Sequence, residues 1–382
     1  MRSLLALALV GLVACSRGDD AGLAAENGED ALSAPPSASP RPPRATCTPP
    51  KRFTGEAWPE ADALFHADPR WLGGDAAYTV ELAPGRILWL FGDSFIAKTD
   101  AHVRSQSTFV RNSIAIQSGT DPTTAKIEFF WHAAVEAGPA PRPATSFFPE
   151  DGTHWFWPVH GTRIPGGELV LFLSELERAD GGLGFATVGT RLARIANPDD
   201  EPMKWRVSLR RLPSDGRSHG IGVVAVDGYL HSLTTKKGAF FNDVELERWK
   251  LDALDAESAF WNGKAFGPEK ASAPVWGGGA PEFITAPYCN EWLTVESIGF
   301  GATDIAVRRA KALAGPWTDA VPVFRPEESK RANPFVYAGK LHPELTGADL
   351  VATYAANSFD FAEVIRDATL YYPRFVKLDA QR

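Results

Sequence analysis

Cysteine is scarce in this sequence. Among 382 residues there are three, at positions 15, 47 and 289. None belongs to a close-spaced Cys/His cluster, which excludes the ligand sets of structural zinc. No metal and no other cofactor is expected. A basic stripe is also missing. The net charge is −8, so nucleic acid is not expected as a partner. Long helical periodicity is nearly absent, which argues against a helical bundle or a doubly wound α/β fold. The apolar run at the start, Leu4 to Val13, is too short to hold the chain across a membrane.

That start has an organisation of its own. Met1-Arg2 supplies a positive charge, the apolar run follows, and it ends Leu12-Val13-Ala14-Cys15. This resembles the bacterial lipobox, in which cleavage precedes a cysteine that is then lipidated. The alternative is an ordinary signal peptide with a chance cysteine. The lipobox reading makes 1–14 a lipoprotein signal peptide and Cys15 the lipidated residue, on a chain held stably outside the cytoplasm by several acyl chains. Ser16 is not Asp, so nothing suggests inner-membrane retention. Residues 15–49 read as a tether: small and acidic at first, then Pro-rich through Ala34-Pro35-Pro36 and Pro40-Arg41-Pro42-Pro43. Such a composition cannot bury enough surface to fold, and its prolines stiffen it into a spacer. Outside the cytoplasm Cys47 and Cys289 either pair or stay apart, because spacing supplies no distance.

Residues 50–382 have a different character. The whole chain holds 12 Trp, 23 Phe, 34 Gly and 30 Pro, and short aromatic-rich strands alternate with Gly/Pro turns. This predicts an all-β fold. One phrase recurs: a strand, a glycine turn, a second strand, then a third. It is seen at Ala77–Leu82 with Ile87–Phe91, and at Trp155–Val159 with Glu168–Leu173. It returns at Ile221–Val226 with Tyr229–Leu233, at Glu282–Ile284 with Glu291–Ser297, and at Asn333–Leu345 with Leu350–Tyr354. Asp227-Gly228 is a strong hairpin signal. Five such units predict a five-bladed β-propeller, with the strand near Tyr372–Phe375 in the last blade. A two-sheet sandwich is the alternative.

Particular motifs sharpen this. The stretch "IAVRRAKALAGPW" (305–317) resembles the blade ending of propellers related to glycoside hydrolase family 43. "WLFGDSF" (89–95), "RNSIAI" (111–116), "YAGKLHPEL" (337–345), "ATYAANS" (352–358) and "YYPRFVKL" (371–378) together look more like the domain of unknown function 4185 group. The resemblance covers about residues 50 to 379. Members of that group include endo-acting D-arabinofuranosidases on cell-wall arabinan, so it implies a propeller glycosidase acting on arabinofuranose-type polysaccharide.

Glycoside hydrolysis needs two carboxyl groups across the scissile bond, one protonated and one ionised. Asp93 is the first candidate. It follows the buried run Ile87–Phe91 and the break at Gly92, and a carboxylate there must be solvated, paired or used. Its role is nucleophile or general base. Glu282 is the second, as general acid, after Trp276-Gly277-Gly278-Gly279-Ala280-Pro281 and in apolar, Trp-lined surroundings that raise a carboxyl pKa. Substrate contacts are expected from Arg111, Asn112 and Asn357, whose polar groups suit sugar hydroxyls or else bond turns and strand edges, and from Trp157, which alternates with Trp155 onto one face and either stacks on a sugar or packs in the propeller core. His342, in the His-Pro-Glu that the resemblance marks, binds hydroxyls or tunes Asp93, or else holds a loop. Asp243 is expected as a third, pKa-tuning acid. Glu150, Glu175 and Glu296 are held in reserve.

The expectation is therefore a monomeric, lipid-anchored, extracytoplasmic glycoside hydrolase whose partners are a polysaccharide substrate and the membrane that holds its anchor. A surface propeller that binds glycan or a protein without catalysis is the alternative.

Overall fold

Each apolar run closed by a Gly or Asp-Gly turn becomes the arm of an antiparallel hairpin. The computed structural model describes residues 47–134, 143–180, 184–213, 215–237, 242–299 and 303–382. Residues 1–46, which include the segment read as a signal peptide, Cys15 and most of the segment read as a tether, lie outside the described residues.

Five large antiparallel sheets follow one another along the chain. The first holds Tyr78–Ala83, Arg86–Phe91, Ser113–Ser118 and Lys126–Phe130, from inside to outside. The second holds Trp155–Arg163, Leu169–Arg178, Phe185–Ile195 and Val207–Arg211. The third begins Arg217–Val226, Tyr229–Lys237, Asn242–Lys250 and adds short outer strands. The fourth holds Phe283–Tyr288, Glu291–Ile298, Asp304–Ala310 and Val321–Phe324. The fifth holds Pro334–Leu341, Leu350–Ser358 and Arg374–Gln381. Its outermost strand is Arg52–Ala57, the first of the described chain, in register from Arg52 opposite Gln381 to Ala57 opposite Val376. The all-β propeller is thus the fold, with its C-terminal strand in the last blade.

Contacts between neighbouring blades close the ring. Asn112 of the first blade donates its amide to the carbonyls of Phe148 and Phe156, leading into and in the second. The Val223 N–H of the third donates to His160 Nδ1 of the second at 2.9 Å. Gly222 packs on Phe283 and Thr285 of the fourth. The Gly339 N–H of the fifth donates to Ser297 Oγ of the fourth. Thr79 of the first bonds His342, just past the innermost strand of the fifth, at 2.7 Å. A continuous core built from Leu, Ile, Val and aromatic residues runs between the blades.

Two additions shape one end of the ring. A small sheet of Trp71–Gly74, Ser94–Ala97 and Ser107–Val110 and a helix, Phe361–Arg366, pack together through Leu72, Phe95, Val364 and Tyr371. Asp360 caps the helix by accepting from the Ala362 N–H, the usual partner for an orphan first-turn donor. Buried Arg104 fixes this cap, donating to the carbonyls of Leu72, Val364, Asp367 and Leu370 at 2.8, 2.7, 3.0 and 2.6 Å. Cys47 and Cys289 are joined in a disulfide with their Cα atoms 4.9 Å apart, which ties the described N-terminus to the fourth blade.

Candidate active site

The strands Tyr78–Ala83 and Arg86–Phe91 are antiparallel, with Tyr78 opposite Leu90. The residues just before the first and just after the second therefore emerge at the same end of the sheet. Those residues include Asp75 and Asp93. Ala76 and Ala77 both take left-handed backbone, φ 66° and 57°, a conformation that costs non-glycine residues about 1–3 kcal/mol each. The Ala77 N–H bonds back to the Asp75 carbonyl at 2.9 Å, and the Gly92 N–H reaches the same oxygen at 3.2 Å. A Cβ on Gly92 would stand 2.5 Å from Asp75 Oδ1, so only glycine lets the two acidic residues come this close.

Asp75 is surrounded by donors from the far end of the chain. Tyr337 donates its hydroxyl to Asp75 Oδ2 at 2.7 Å, and Tyr371 does so at 3.3 Å. Tyr337 is aimed here by a β-bulge between Tyr337 and Lys340, where Ala338 has φ 58°; bulges commonly redirect side chains beside sites. Asn357, opposite Phe335 in the same sheet, places its amide 3.4 Å from the Tyr337 hydroxyl. Asp93 accepts from Trp157 Nε1 at 3.0 Å and faces Arg111 at 3.6 Å. Arg111 in turn lies over the Trp155 ring, 4.4 Å from its centroid. The structure thus brings Asp93, Arg111, Trp157 and Asn357 together about Asp75, an acid that the sequence did not single out.

Burial pushes both carboxyls up. Asp75 is raised to about 7, by desolvation first and then by the charges of Asp93 and Glu282, against the Tyr337 hydrogen bond that lowers it. Asp93 is raised to about 6, again by desolvation, opposed by the Trp157 hydrogen bond and the Arg111 charge. The order follows from the balance of partners: Arg111 lies 3.6 Å from Asp93, whereas Asp75 feels the charges of Asp93 and Glu282 more than that of Lys340. A proton-holding acid next to an ionised one is the state two-carboxylate chemistry uses.

The other expected residues stand elsewhere. Glu282 does not have the apolar surroundings expected of it, because Lys340, fully buried, places its Nζ 2.6 Å from Glu282 Oε2. The ammonium also sits 4.3 Å from the Tyr78 ring centroid, and desolvation holds the lysine's pKa below its usual range. Asn112 is fully buried, and besides its two donations it accepts from the Phe148 N–H at 2.7 Å. Its amide is spent on backbone and does not meet substrate. His342 is likewise fully buried, with Thr79 on Nδ1 and Thr353 on Nε2, each at 2.7 Å, and it lies 4.9 Å from the Trp89 ring. It is the loop-holding histidine rather than a hydroxyl binder. Asp243 is on the third strand of its sheet, opposite Lys236 and Gly277, not on an innermost strand. Two reserve acids serve structure: Glu175 pairs with Arg191 at 2.6 Å and Arg211 at 2.9 Å, and Glu296 pairs with Arg308.

A cavity of about 780 Å³ opens among the C-terminal halves of the innermost strands, lined by Val80, Leu82, Arg163, Val224, Ala286 and Glu344 among others. The acidic pair lies by the N-terminal ends of these strands and does not line it. The cavity has a buried carboxyl of its own, Glu344, pushed up to about 7 by desolvation, whereas the pair of acids with tyrosine, tryptophan and arginine donors stands at the other end. Among the described residues no helix is long and apolar enough to cross a membrane.

Comparison with known proteins bears on the fold and the family. A crystal structure of a Bacteroides ovatus ATCC 8483 protein, provisionally described as a hydrolase, superposes with a TM-score of 0.68 at 18% identity, covering 85% of this chain and 90% of that one. At that identity the likeness is one of fold. The catalytic domain of the Coprinopsis cinerea GH62 α-L-arabinofuranosidase gives a TM-score of 0.44 at 11% identity, covering 86% and 97%. The xylan β-1,4-xylosidase of Bacillus halodurans C-125 gives 0.45 at 9%, covering 82% and 53%. No curated protein sequence matches the chain. The family model that matches is not that of the 4185 group read from the motifs. It is the one described as Domain of unknown function (DUF5005), and it spans residues 60–380. This chain belongs to that family.

Proposed function

We propose that the protein is a glycoside hydrolase whose reaction takes place at Asp75 and Asp93. One observation carries this: two carboxyl groups, both raised toward neutrality, emerge side by side from one hairpin among tyrosine, tryptophan and arginine donors. Asp75, the higher of the two, donates its proton to the departing glycosidic oxygen. Asp93, kept anionic by Arg111 and Trp157, acts at the anomeric carbon as nucleophile or through a water molecule. The acid assigned to Glu282 on sequence thus passes to Asp75, and Glu282 with Lys340 sets the field around it. In this reading Arg111 and Asn357 meet sugar hydroxyls, and the Trp157 ring, its Nε1–H given to Asp93, meets a sugar face.

The substrate class, an arabinofuranose-type polysaccharide, rests on the motif resemblance alone, since the family model that matches the chain is a different one and names no substrate. The lipid anchor at Cys15 and the extracytoplasmic, monomeric state belong to the same proposal. The Cys47–Cys289 disulfide supports that compartment, since such bonds persist where thiols are not kept reduced.

The test is incubation of the purified protein with arabinans, arabinogalactans and glucans, followed by product analysis. Asp93→Asn keeps shape but removes the charge. It should retain the fold and lower turnover at least ~10²-fold, the low end for lost acid–base work. No product from any polysaccharide, or wild-type turnover by Asp93→Asn, would sink the reading.

A further inference from the structure

Apolar side chains left in water on one rim are informative when they cluster. The exposed phenylalanines among the described residues are Phe109, Phe359 and Phe361, at 37, 63 and 56%. All three stand on the cap segments beside the acidic pair. Phe361 meets Phe109 at 5.9 Å and Phe95 at 6.1 Å between ring centroids. Phe95 meets Tyr371 at 5.4 Å, and Tyr371 donates to Asp75. On the other side Phe359 stacks on Phe335 at 4.5 Å, and Phe335 meets Tyr337 at 5.4 Å. Tyr337 is the second tyrosine donor to Asp75. Two lines of rings therefore run outward from Asp75, and each reaches an exposed phenylalanine on the short segment 359–361.

We infer that Phe359 and Phe361, with Phe109, form an aromatic platform that binds sugar units of a polysaccharide beyond the one that reacts. The inference rests on the glycoside hydrolase reading above. A sugar ring has an apolar C–H face edged by hydroxyls, and the platform has the matching make-up. Its rings offer flat apolar surface, while the Asn357 amide and Tyr337 hydroxyl lie at its inner edge. Continuity with the carboxyls selects the occupant, because a glycan chain seated at Asp75 and Asp93 extends over this rim. The site is therefore built for a polymer, several units at a time, and not for a lone sugar.

The test uses the full chain carrying Asp93→Asn, which holds glycan without cutting it. It is run through native gels containing arabinan or arabinogalactan, with and without Phe359→Ala plus Phe361→Ala. Retardation should weaken about tenfold, the worth of an aromatic stacking contact. Phe359→Trp plus Phe361→Trp should restore it, and equal melting temperatures should show that the fold is kept. Ring-dependent retardation without hydrolysis by the wild type supports the platform and sinks the hydrolase reading. Equal retardation with and without the rings overturns the platform alone. No retardation in any polysaccharide overturns it too. So does loss, in a Cys15→Ala background that removes the proposed anchor, of co-sedimentation with phosphatidylglycerol vesicles while glycan binding is untouched, which would make the rim a membrane contact.

Discussion

Tyr337 donates its hydroxyl to Asp75 Oδ2 at 2.7 Å across 262 positions of sequence. This bond joins the last blade to the first at the proposed reacting centre and stabilises the charged form of Asp75. Activity should need Asp93 ionised and Asp75 protonated, so the pH–rate profile should be a bell with its maximum between about 6 and about 7. Removing a donor to the carboxylate raises the carboxyl pKa. Tyr337→Phe should therefore move the alkaline limb of kcat/KM, which reports the free enzyme, to higher pH and leave the acid limb, set by Asp93, in place. An alkaline limb that does not move would mean that Asp75 is not the acid.

Asp75→Asn should stabilise the protein while disabling it. The folded-state pKa of Asp75 is raised from 3.8 to about 7. The folded chain thus holds this proton more tightly than the unfolded one, and stability declines as pH rises through that window. An amide does not ionise, so the variant escapes the decline. Its melting temperature should exceed that of the wild type by roughly 2–4 °C at pH 8, about 1 kcal/mol for a domain of this scale, and the gap should close toward pH 4. Thermal melts at the two pH values check this, and a gap independent of pH would contradict it.

Glu282→Gln should act mainly on stability. It leaves Lys340, with no exposed side-chain surface, lacking the carboxylate 2.6 Å away. Breaking a fully buried pair by removing one partner costs about 3–5 kcal/mol, whereas replacing both with apolar groups is close to neutral. The Glu282 side chain is 29% exposed and Asp75 also faces the lysine, so urea unfolding should show a loss below that range in Glu282→Gln and recovery in Glu282→Gln with Lys340→Met. If the single variant unfolds like the wild type but has lost turnover, Glu282 regains the acid role first expected of it.

Cys15→Ala should release the protein from membranes into the soluble fraction, because the lipobox reading makes Cys15 the point of acylation. Fractionation of cells producing each form decides it, and a variant that stays with membranes would end the lipoprotein reading.

The propeller was legible because each blade writes itself locally, as two apolar strands about a glycine turn. The closing strand was not. Arg52–Ala57 reads as any half-exposed strand, and its partner, Arg374–Gln381, stands at the other end of the chain. The site divides in the same way. Asp93 was conspicuous because it ends a buried apolar run. Asp75 sits after Gly73-Gly74 and looks like a loop acid. Its signal was the hairpin itself, since a residue before the first strand and a residue after the second come out together. Asn112 and His342 show the reverse limit. A polar side chain suited to a sugar hydroxyl is equally suited to a buried carbonyl or threonine, and only burial tells them apart.

The pairing of the first described strand with the last has a consequence for synthesis. A ribosome delivers Arg52–Ala57 near the beginning and its partner Arg374–Gln381 only at the end. At roughly 5–20 residues per second, that strand waits on the order of tens of seconds with a bare hydrogen-bonding edge. Over the same interval Asp75 lacks both its tyrosines. The nascent chain is thus exposed to aggregation at one known place, and the acidic centre is assembled by the same late event that ends the exposure.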